Sequence, residues 1–417
     1  MSSNPGKRYR VGIVGGSIAG CATAIELLRL GCDVTLFERT GETLKDRGAG
    51  IGMPRSVVET LIARDLIDRD TAFFRSDVFT RLWRTASESR YGHLAWDQPI
   101  FLALVNWGQL YRNLRRRVPD PIYRLHRTVR RLVNEADRVV VELATGEREA
   151  FDFCVCADGY ASLSGDALFP EAPAQYAGYV LWRGSLPESA LGETAPLEGG
   201  VRSPGHAGGH GIFYFVPGAD GSIEPGARLV NWGVYVKVPE AGLETLLVDA
   251  AGHRHAGSLP PGAMPRDTEC ALLDRVEGRL PEFYLEILRA CRHTSVYAIQ
   301  DREVPAYRKG RIAVAGDAGA LARPHSASGA LKAMTDALAL SDALAAEPLD
   351  LDAALDRYSQ SQTRSGNHLV RFGRQLGEAL VTSIPDWSTM DVSAMERWFS
   401  SIVTLRPEML GGSNSPR

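Results

Sequence analysis

The spacing of apolar residues changes several times along the chain, and each change predicts a different element. Residues 9–14 form a short, valine-rich apolar run that leads directly into Gly15, Gly16, Ser17, Ile18, Ala19 and Gly20. Residues 21–30 then place Ala22, Ala24, Ile25, Leu28 and Leu30 at helical spacing and stop at Gly31. Residues 33–37 read as a second strand ending at Glu38, which completes a strand, turn, helix, strand unit. The run 47–52 is too rich in glycine for a regular element and predicts a ligand-facing loop, followed by an amphipathic helix over 55–66. A helix is expected over 109–118, and strands over 138–143 and 148–156, the second ending on Asp158 and Gly159.

Between about residues 175 and 307 the pattern becomes an aromatic-rich alternation, with runs at 179–186, 211–216 and 229–238. That period of two predicts an antiparallel sheet. Apolar strand character returns over 311–315 and ends on Gly316 and Asp317; a loop through Pro324 and Gly329 leads to an alanine-rich helix over 330–345. The tail over 351–380 is helical in pattern, and 411–417 is expected to fray.

Composition narrows the function classes. The chain has 417 residues, too many for one core, so two or three packed units are expected. With 44% apolar and 23% charged residues it reads as a globular enzyme. A formal charge of -3, with basic runs no longer than Arg115, Arg116 and Arg117, argues against a nucleic-acid partner. No apolar run approaches ~18 residues and the first nine lack the features of a signal peptide, so no membrane partner and a cytoplasmic location are expected. Six cysteines without a CxxC pair fit a reducing compartment, and Cys154 and Cys156, two apart on a strand, read as core residues.

The chemistry begins at the glycine turn. A strand ending in tight glycines and entering a helix offers unpaired N–H groups and the positive helix end to a pyrophosphate, which assigns Gly15, Gly16, Ser17, Ile18 and Ala19 to a dinucleotide, with Gly20 closing the turn. Ser17 replaces the second glycine of G-x-G-x-x-G and is small enough to let a phosphate approach. Glu38, at the end of the next strand, is placed to accept ribose hydroxyls, beside Arg39. NAD and FAD both satisfy this fingerprint. Gly316 and Asp317 favour FAD: an aspartate at the tip of a late strand can hold a ribityl chain while a helix starting near Gly329 and Ala330 points its positive end at a reduced flavin.

These motifs, with Cys156, Ala157, Asp158, Gly159, Pro324 and Asp336, resemble the group A flavoprotein monooxygenases over nearly the whole chain. The resemblance implies an α/β fold: a Rossmann-like FAD-binding domain of the GR2 type, an interleaved antiparallel-sheet substrate domain and C-terminal helices. The expected boundaries are 1–174 for the first part of the FAD domain with a substrate-domain insertion near 70–105, 175–307 for the substrate domain, 308–345 for the return, and 346–417 for the helical region. Tyr176 to Gly184 and Arg323, Pro324, His325 are similar to a bacterial branch of that family acting on small hydroxylated heterocycles. Two arginines of the family's pattern are replaced, by Trp107 and Gly165.

What the resemblance implies is hydroxylation of a small electron-rich ring through a flavin hydroperoxide, with FAD bound, NADH or NADPH as transient reductant and O2 as co-substrate, in a monomer or homodimer. Baeyer-Villiger or decarboxylative oxygenation on the same scaffold, and a non-catalytic flavin sensor, stay open as alternatives. His325, on the loop over the expected flavin, is the candidate catalytic group. Tyr214, Trp232 and Arg183 are candidate substrate contacts, although aromatics on a sheet more often belong to the core and a structural salt bridge is the favoured reading of Arg183 in an apolar strand. Arg47 and Gly50 in the glycine loop, with Asp158, complete the expected cofactor contacts. His253 and His255 lie in a turn-rich stretch without a nearby carboxylate or cysteine cluster, and no metal is assigned.

Overall fold

The computed structural model describes residues 9–41, 50–160, 162–327 and 329–405. A six-stranded sheet forms the first layer, in the order Arg308–Lys309, Ile312–Val314, Phe153–Cys156, Arg10–Val14, Asp33–Phe37 and Tyr123–Arg124. All its pairings are parallel except the edge hairpin at 308–314. Its central strands are buried on both faces, which is why they read as continuous apolar runs. The late strand Ile312–Val314 pairs with Phe153–Cys156, so two glycine-bearing turns distant in sequence open at the same sheet edge.

The run over 148–156 divides into two strands. Arg148–Phe151 belongs to a three-stranded sheet with Val129–Asn134 and Val139–Leu143, whereas Phe153–Cys156 enters the parallel sheet after a break at Asp152. Asp152 accepts the backbone N–H of Arg10 at 2.8 Å, which fixes that change of direction. Cys154 and Cys156 are fully buried.

The second layer is a nine-stranded sheet running Ser258–Leu259, Thr294–Asp301, Gln175–Pro187, Leu229–Lys237, Gly209–Val216, Val201–His206, Phe74–Trp83, His93–Asn106 and Gly50–Pro54. Gly50–Pro54 is thus a strand, paired antiparallel with 102–106, where a glycine loop is expected from composition. The expected insertion near 70–105 contributes two of the nine strands. One face packs on helices Arg266–Asp274 and Glu282–Ala290 to form a core around Trp182, Phe213 and Trp232. The other face looks toward the parallel sheet and the C-terminal helix Leu351–Gly377, and it carries the site. Among the described residues, no helix is long and apolar enough to cross a membrane.

Candidate active site

Two helix N-termini converge on a cleft of about 440 Å³ between the sheets: those of Ile18–Arg29 and Gly329–Ala346. Gly15 adopts φ +99°, and a Cβ there would run into the Ala157 carbonyl, so the turn closes only with glycine. A Cβ at Gly20 would meet the Gly15 carbonyl. Ser17 caps the first helix without a side-chain hydrogen bond, leaving its hydroxyl at the cleft wall. Glu38 is buried and braces the turn: it accepts the Gly16 N–H at 2.8 Å on one oxygen and the Thr40 N–H and hydroxyl at 2.8 and 2.9 Å on the other.

The second turn is held from beneath. Gly316 has φ +61°; its N–H donates to Asp336 at 2.8 Å and its carbonyl accepts from Lys332 Nζ at 2.7 Å. Lys332 and Asp336 also pair with each other at 2.7 Å, both almost fully buried one helical turn apart. This clamp aims Asp317 at the cleft. Burial raises the Asp317 carboxyl, against the pull of Lys332 and Arg302. Arg302 donates to the Ala318 carbonyl at 2.8 Å and fills the space over Gly165, so glycine at that position makes room for a neighbouring arginine.

Of the residues expected to hold cofactor, Ser17, Ile18, Ala19, Gly50, Gly316, Asp317, Pro324, Gly329 and Ala330 all line this cleft. Gly15, Gly16 and Glu38 form the turn behind it. Asp158 accepts the Ser162 hydroxyl at 2.5 Å beside the lining residues Ala157 and Gly159. Arg39 is exposed and off the cleft, and Arg47 lies outside the described residues. These groups suit FAD: the glycine cradle has no room for side chains, two helix ends face the cleft, and the Asp317 carboxylate has no hydrogen-bond partner among the described residues.

The aromatic contacts sort by strand parity. Tyr214 pairs across the sheet with Asn231, and both face the cleft. Trp232 pairs with Phe213 and points the other way; its fully buried ring packs edge-on against Trp182, with centroids 5.1 Å apart. Trp232 borders the cleft, but its ring packs into the core, and Tyr235 takes the cleft-facing position. Arg183 lines the cleft and forms no ion pair among the described residues. Asn231 accepts the Gly50 N–H at 2.6 Å, and a Cβ on Gly50 would lie 2.6 Å from the Tyr214 ring, so glycine here brings cofactor and substrate walls together.

A second cavity of about 220 Å³ adjoins the first and shares Gly52, Ile212, Tyr214, Tyr235, Pro324 and Ala327 with it. His325 lies in its wall. Nε2 of His325 is 2.9 Å from the Tyr179 hydroxyl, its Nδ1 is 3.4 Å from Nε2 of His210, and its ring lies over Tyr235 with centroids 4.1 Å apart. Burial and the nearby Arg323 and Arg81 push His325 down to about 3, and burial holds His210 well below its ordinary value. Both imidazoles are neutral at neutral pH. With both nitrogens engaged, His325 turns its ring rather than a free nitrogen to the cavity, which suits a positioning residue better than a base.

His210, Tyr179, Arg81, Gln98 and Lys332 escape a sequence reading. The only signal was a charged or polar residue at the inward parity of an apolar strand, as at Arg81, and that parity depends on pairings among strands far apart in sequence. His253 and His255 do have a carboxylate nearby: Asp249 is 2.7 Å from His255 and 3.5 Å from His253. Among the described residues no group of three or more such side chains is arranged to hold a metal.

Comparison with known proteins finds relatives of the same fold. Family models described as FAD binding domain-like, FAD binding domain, and pyridine nucleotide-disulphide oxidoreductase match residues 176–301, 285–373 and 10–61. The chain is 25% identical over 378 residues to a 2,6-dihydroxypyridine 3-monooxygenase of Paenarthrobacter nicotinovorans, covering 89% of this chain and 91% of that protein. The solved 2,6-dihydroxypyridine-3-hydroxylase of Arthrobacter nicotinovorans superposes with a TM-score of 0.82 at 23% identity, covering 91% of this chain and 94% of the other. HpxO of Klebsiella pneumoniae, solved with FAD and uric acid, gives a TM-score of 0.70 at 20% identity over 94% and 92% of the two chains.

Proposed function

We propose that the chain is an FAD-dependent monooxygenase, as its relatives are named, and that it hydroxylates a small, electron-rich, hydroxylated ring, with N-heterocycles the favoured class, using NADH or NADPH and O2. The observation that carries this reading is the pair of adjoining cavities: one lined by the cofactor motifs, the other by buried aromatic and polar side chains, with Tyr214, Tyr235 and Pro324 common to both. Bound FAD would supply reduction by the nicotinamide and activation of O2. Ser17, Asp317 and the two helix ends would hold it.

The protein's share is orientation and exclusion of water. Tyr214 and Tyr235 offer hydroxyls from buried positions; burial pushes Tyr214 up to about 12 and raises Tyr235 further, so both remain hydrogen-bond donors at neutral pH. Neither hydroxyl has a hydrogen-bond partner among the described residues, so a ring hydroxyl or ring nitrogen can accept from them. Phe79, Leu104, Phe372 and Leu376 give the rest of the wall an apolar character that disfavours water.

The test is an absorption spectrum of the purified protein, followed by NADH and NADPH consumption with and without 2,6-dihydroxypyridine, urate and other hydroxylated heterocycles. Flavin absorption with ring-stimulated consumption and a hydroxylated product is expected. A chain that cannot be loaded with FAD would overturn the reading, and flavin without any ring-stimulated consumption would favour a sensor.

A further inference from the structure

Arg81 is the most unusual charge in the molecule. It sits on the strand Phe74–Trp83, only 3% exposed, and lines the second cavity. Buried arginines normally meet a carboxylate, because stripping a guanidinium of water is costly unless an opposite charge replaces it. Elsewhere in this chain they do: Arg228 pairs with Glu188 and Glu198, Arg302 with Asp166 at 3.0 Å, and the partly buried Arg323 with Asp301 at 2.7 Å. Among the described residues Arg81 has no carboxylate partner. Its two terminal nitrogens donate to neutral groups, the Ser203 hydroxyl at 3.3 Å and the Gln98 side-chain oxygen at 2.9 Å, and its Nε has no partner among the described residues.

The surroundings hold the guanidinium in place without neutralising it. Its carbon lies 4.2 Å from the centroid of Phe79, 5.4 Å from Trp387 and 5.6 Å from Phe399, contacts that offset part of the lost hydration but bring no negative charge. The strand register explains the position: Arg81 is opposite Ser203 in the neighbouring parallel strand and Phe79 is opposite Gln98 on the other side, so one face of three strands converges on the cavity. The nearest titratable neighbours in the cavity, His210 and His325, are neutral and add no anion.

Resting on the proposed ring hydroxylation, we infer that Arg81 is the anchor for an anionic oxygen on the ring, either an ionised ring hydroxyl or a ring carboxylate, which enters the second cavity as the missing counter-ion. A fixed, desolvated guanidinium attracts an anion far more strongly than it would in water and presents parallel donors to it. The ring then extends toward Tyr214, Tyr235 and Pro324, the residues shared with the cofactor cleft. An ionised hydroxyl selected in this way makes the ring electron-rich before any reaction, without a base among the residues of the cavity.

The experiment is calorimetric titration of the FAD-loaded protein with two matched pairs at pH 8: benzoate against benzamide, and 4-nitrophenolate against 4-nitroanisole. At least one anion is expected to bind ten-fold or more tightly than its neutral counterpart, and which one does so separates carboxylate from ring oxyanion. Arg81→Met should remove the preference while leaving binding of the neutral probe within about two-fold, and Arg81→Lys should retain part of the preference if the methionine variant fails to fold. Equal binding of anion and neutral in the parent protein, no binding of any probe, or a preference that survives Arg81→Met would overturn the inference. A chain that takes up no FAD would fail the monooxygenase reading alone, since the heats compare anion with neutral at Arg81 whether or not flavin is present.

Discussion

The Tyr179 hydroxyl lies 2.9 Å from Nε2 of His325, and this one contact orders a row of donors across the site. Burial pushes Tyr179 up to about 12, so it stays protonated and donates to Nε2. The proton of the neutral His325 ring then sits on Nδ1 and points to Nε2 of His210, whose own Nδ1 proton faces the Gly211 carbonyl at 3.2 Å. On the other side, Arg323 Nη1 reaches the Tyr179 oxygen at 3.4 Å, and its Nε binds Asp301, which also accepts from Arg374. Tyr179→Phe should strip Nε2 of its donor and destabilise the fold by about 1–3 kcal/mol, the usual range for a buried polar atom left unpaired. Urea unfolding of the two proteins checks this, and an unchanged midpoint would mean that the row is not built on Tyr179.

Acid should destabilise the protein earlier than its carboxylates alone would require. His206 and His210 are each 3% exposed; burial lowers His206 to about 4 and His210 well below 6.5. In the unfolded chain a histidine takes up its proton near 6.5, so between that value and the folded value the unfolded state binds more protons. The stability from these two groups is therefore complete above pH 6.5 and is lost as pH falls from 6.5 toward 4, at up to about 1.4 kcal/mol per pH unit for each. Asp317 and Asp336, which burial raises, act in the opposite sense. The comparison that isolates the histidine part is His210→Asn against the parent, by urea unfolding at pH 7.5, 6.5 and 5.5: the variant should show the shallower decline, and parallel declines would refute the assignment.

The Gly316 clamp separates flavin binding from overall stability. Lys332→Met leaves Asp336 buried without its partner, which should destabilise the fold by about 3–5 kcal/mol. Replacing both, as Lys332→Met with Asp336→Leu, removes the stranded charge and should recover most of that loss. It should not recover flavin, because nothing then fixes the N–H and carbonyl of Gly316 at φ +61° with Asp317 toward the cleft. Retention of flavin through gel filtration, measured beside the unfolding midpoint, checks the pair. A double variant that keeps FAD as well as the parent would show that the clamp is structural only.

Much of this architecture was legible because its signals are local. The first strand, glycine turn and helix, and Gly316 with Asp317 ahead of the helix Gly329–Ala346, are read from consecutive residues whose backbone demands leave few alternatives. What escaped depends on pairing between distant segments. Gly50–Pro54 is glycine-rich yet becomes a strand because Leu102–Asn106 offers it a ladder, which no local propensity reports. Asp152 breaks the run at 148–156 into two strands of different sheets for the same reason. Arg81 looked like any charged residue on a mixed strand; only the placement of Ser203, Gln98 and Phe79 around it shows a buried cation. Histidine at 325 was singled out by its loop, but its partners Tyr179 and His210 come from two strands more than a hundred residues earlier.

Tyr214 and Trp232 provide the sharpest test of which sheet face carries the substrate. Trp232 is fully buried against Trp182, so Trp232→Ala opens a large void in the core. It should destabilise the fold by about 3–5 kcal/mol. In whatever fraction remains folded, the Michaelis constant for the ring should change little. Tyr214→Phe removes one hydroxyl at the wall shared by both cavities and leaves the packed ring in place. Its effect on stability should stay within about 0.5 kcal/mol, while loss of a hydrogen bond to the ring raises the Michaelis constant by about ten-fold. Steady-state kinetics with a ring that stimulates NADH consumption, alongside urea unfolding, reads both variants. The reverse pattern, with Trp232→Ala altering ring affinity and Tyr214→Phe altering only stability, would move the substrate to the other face of the sheet.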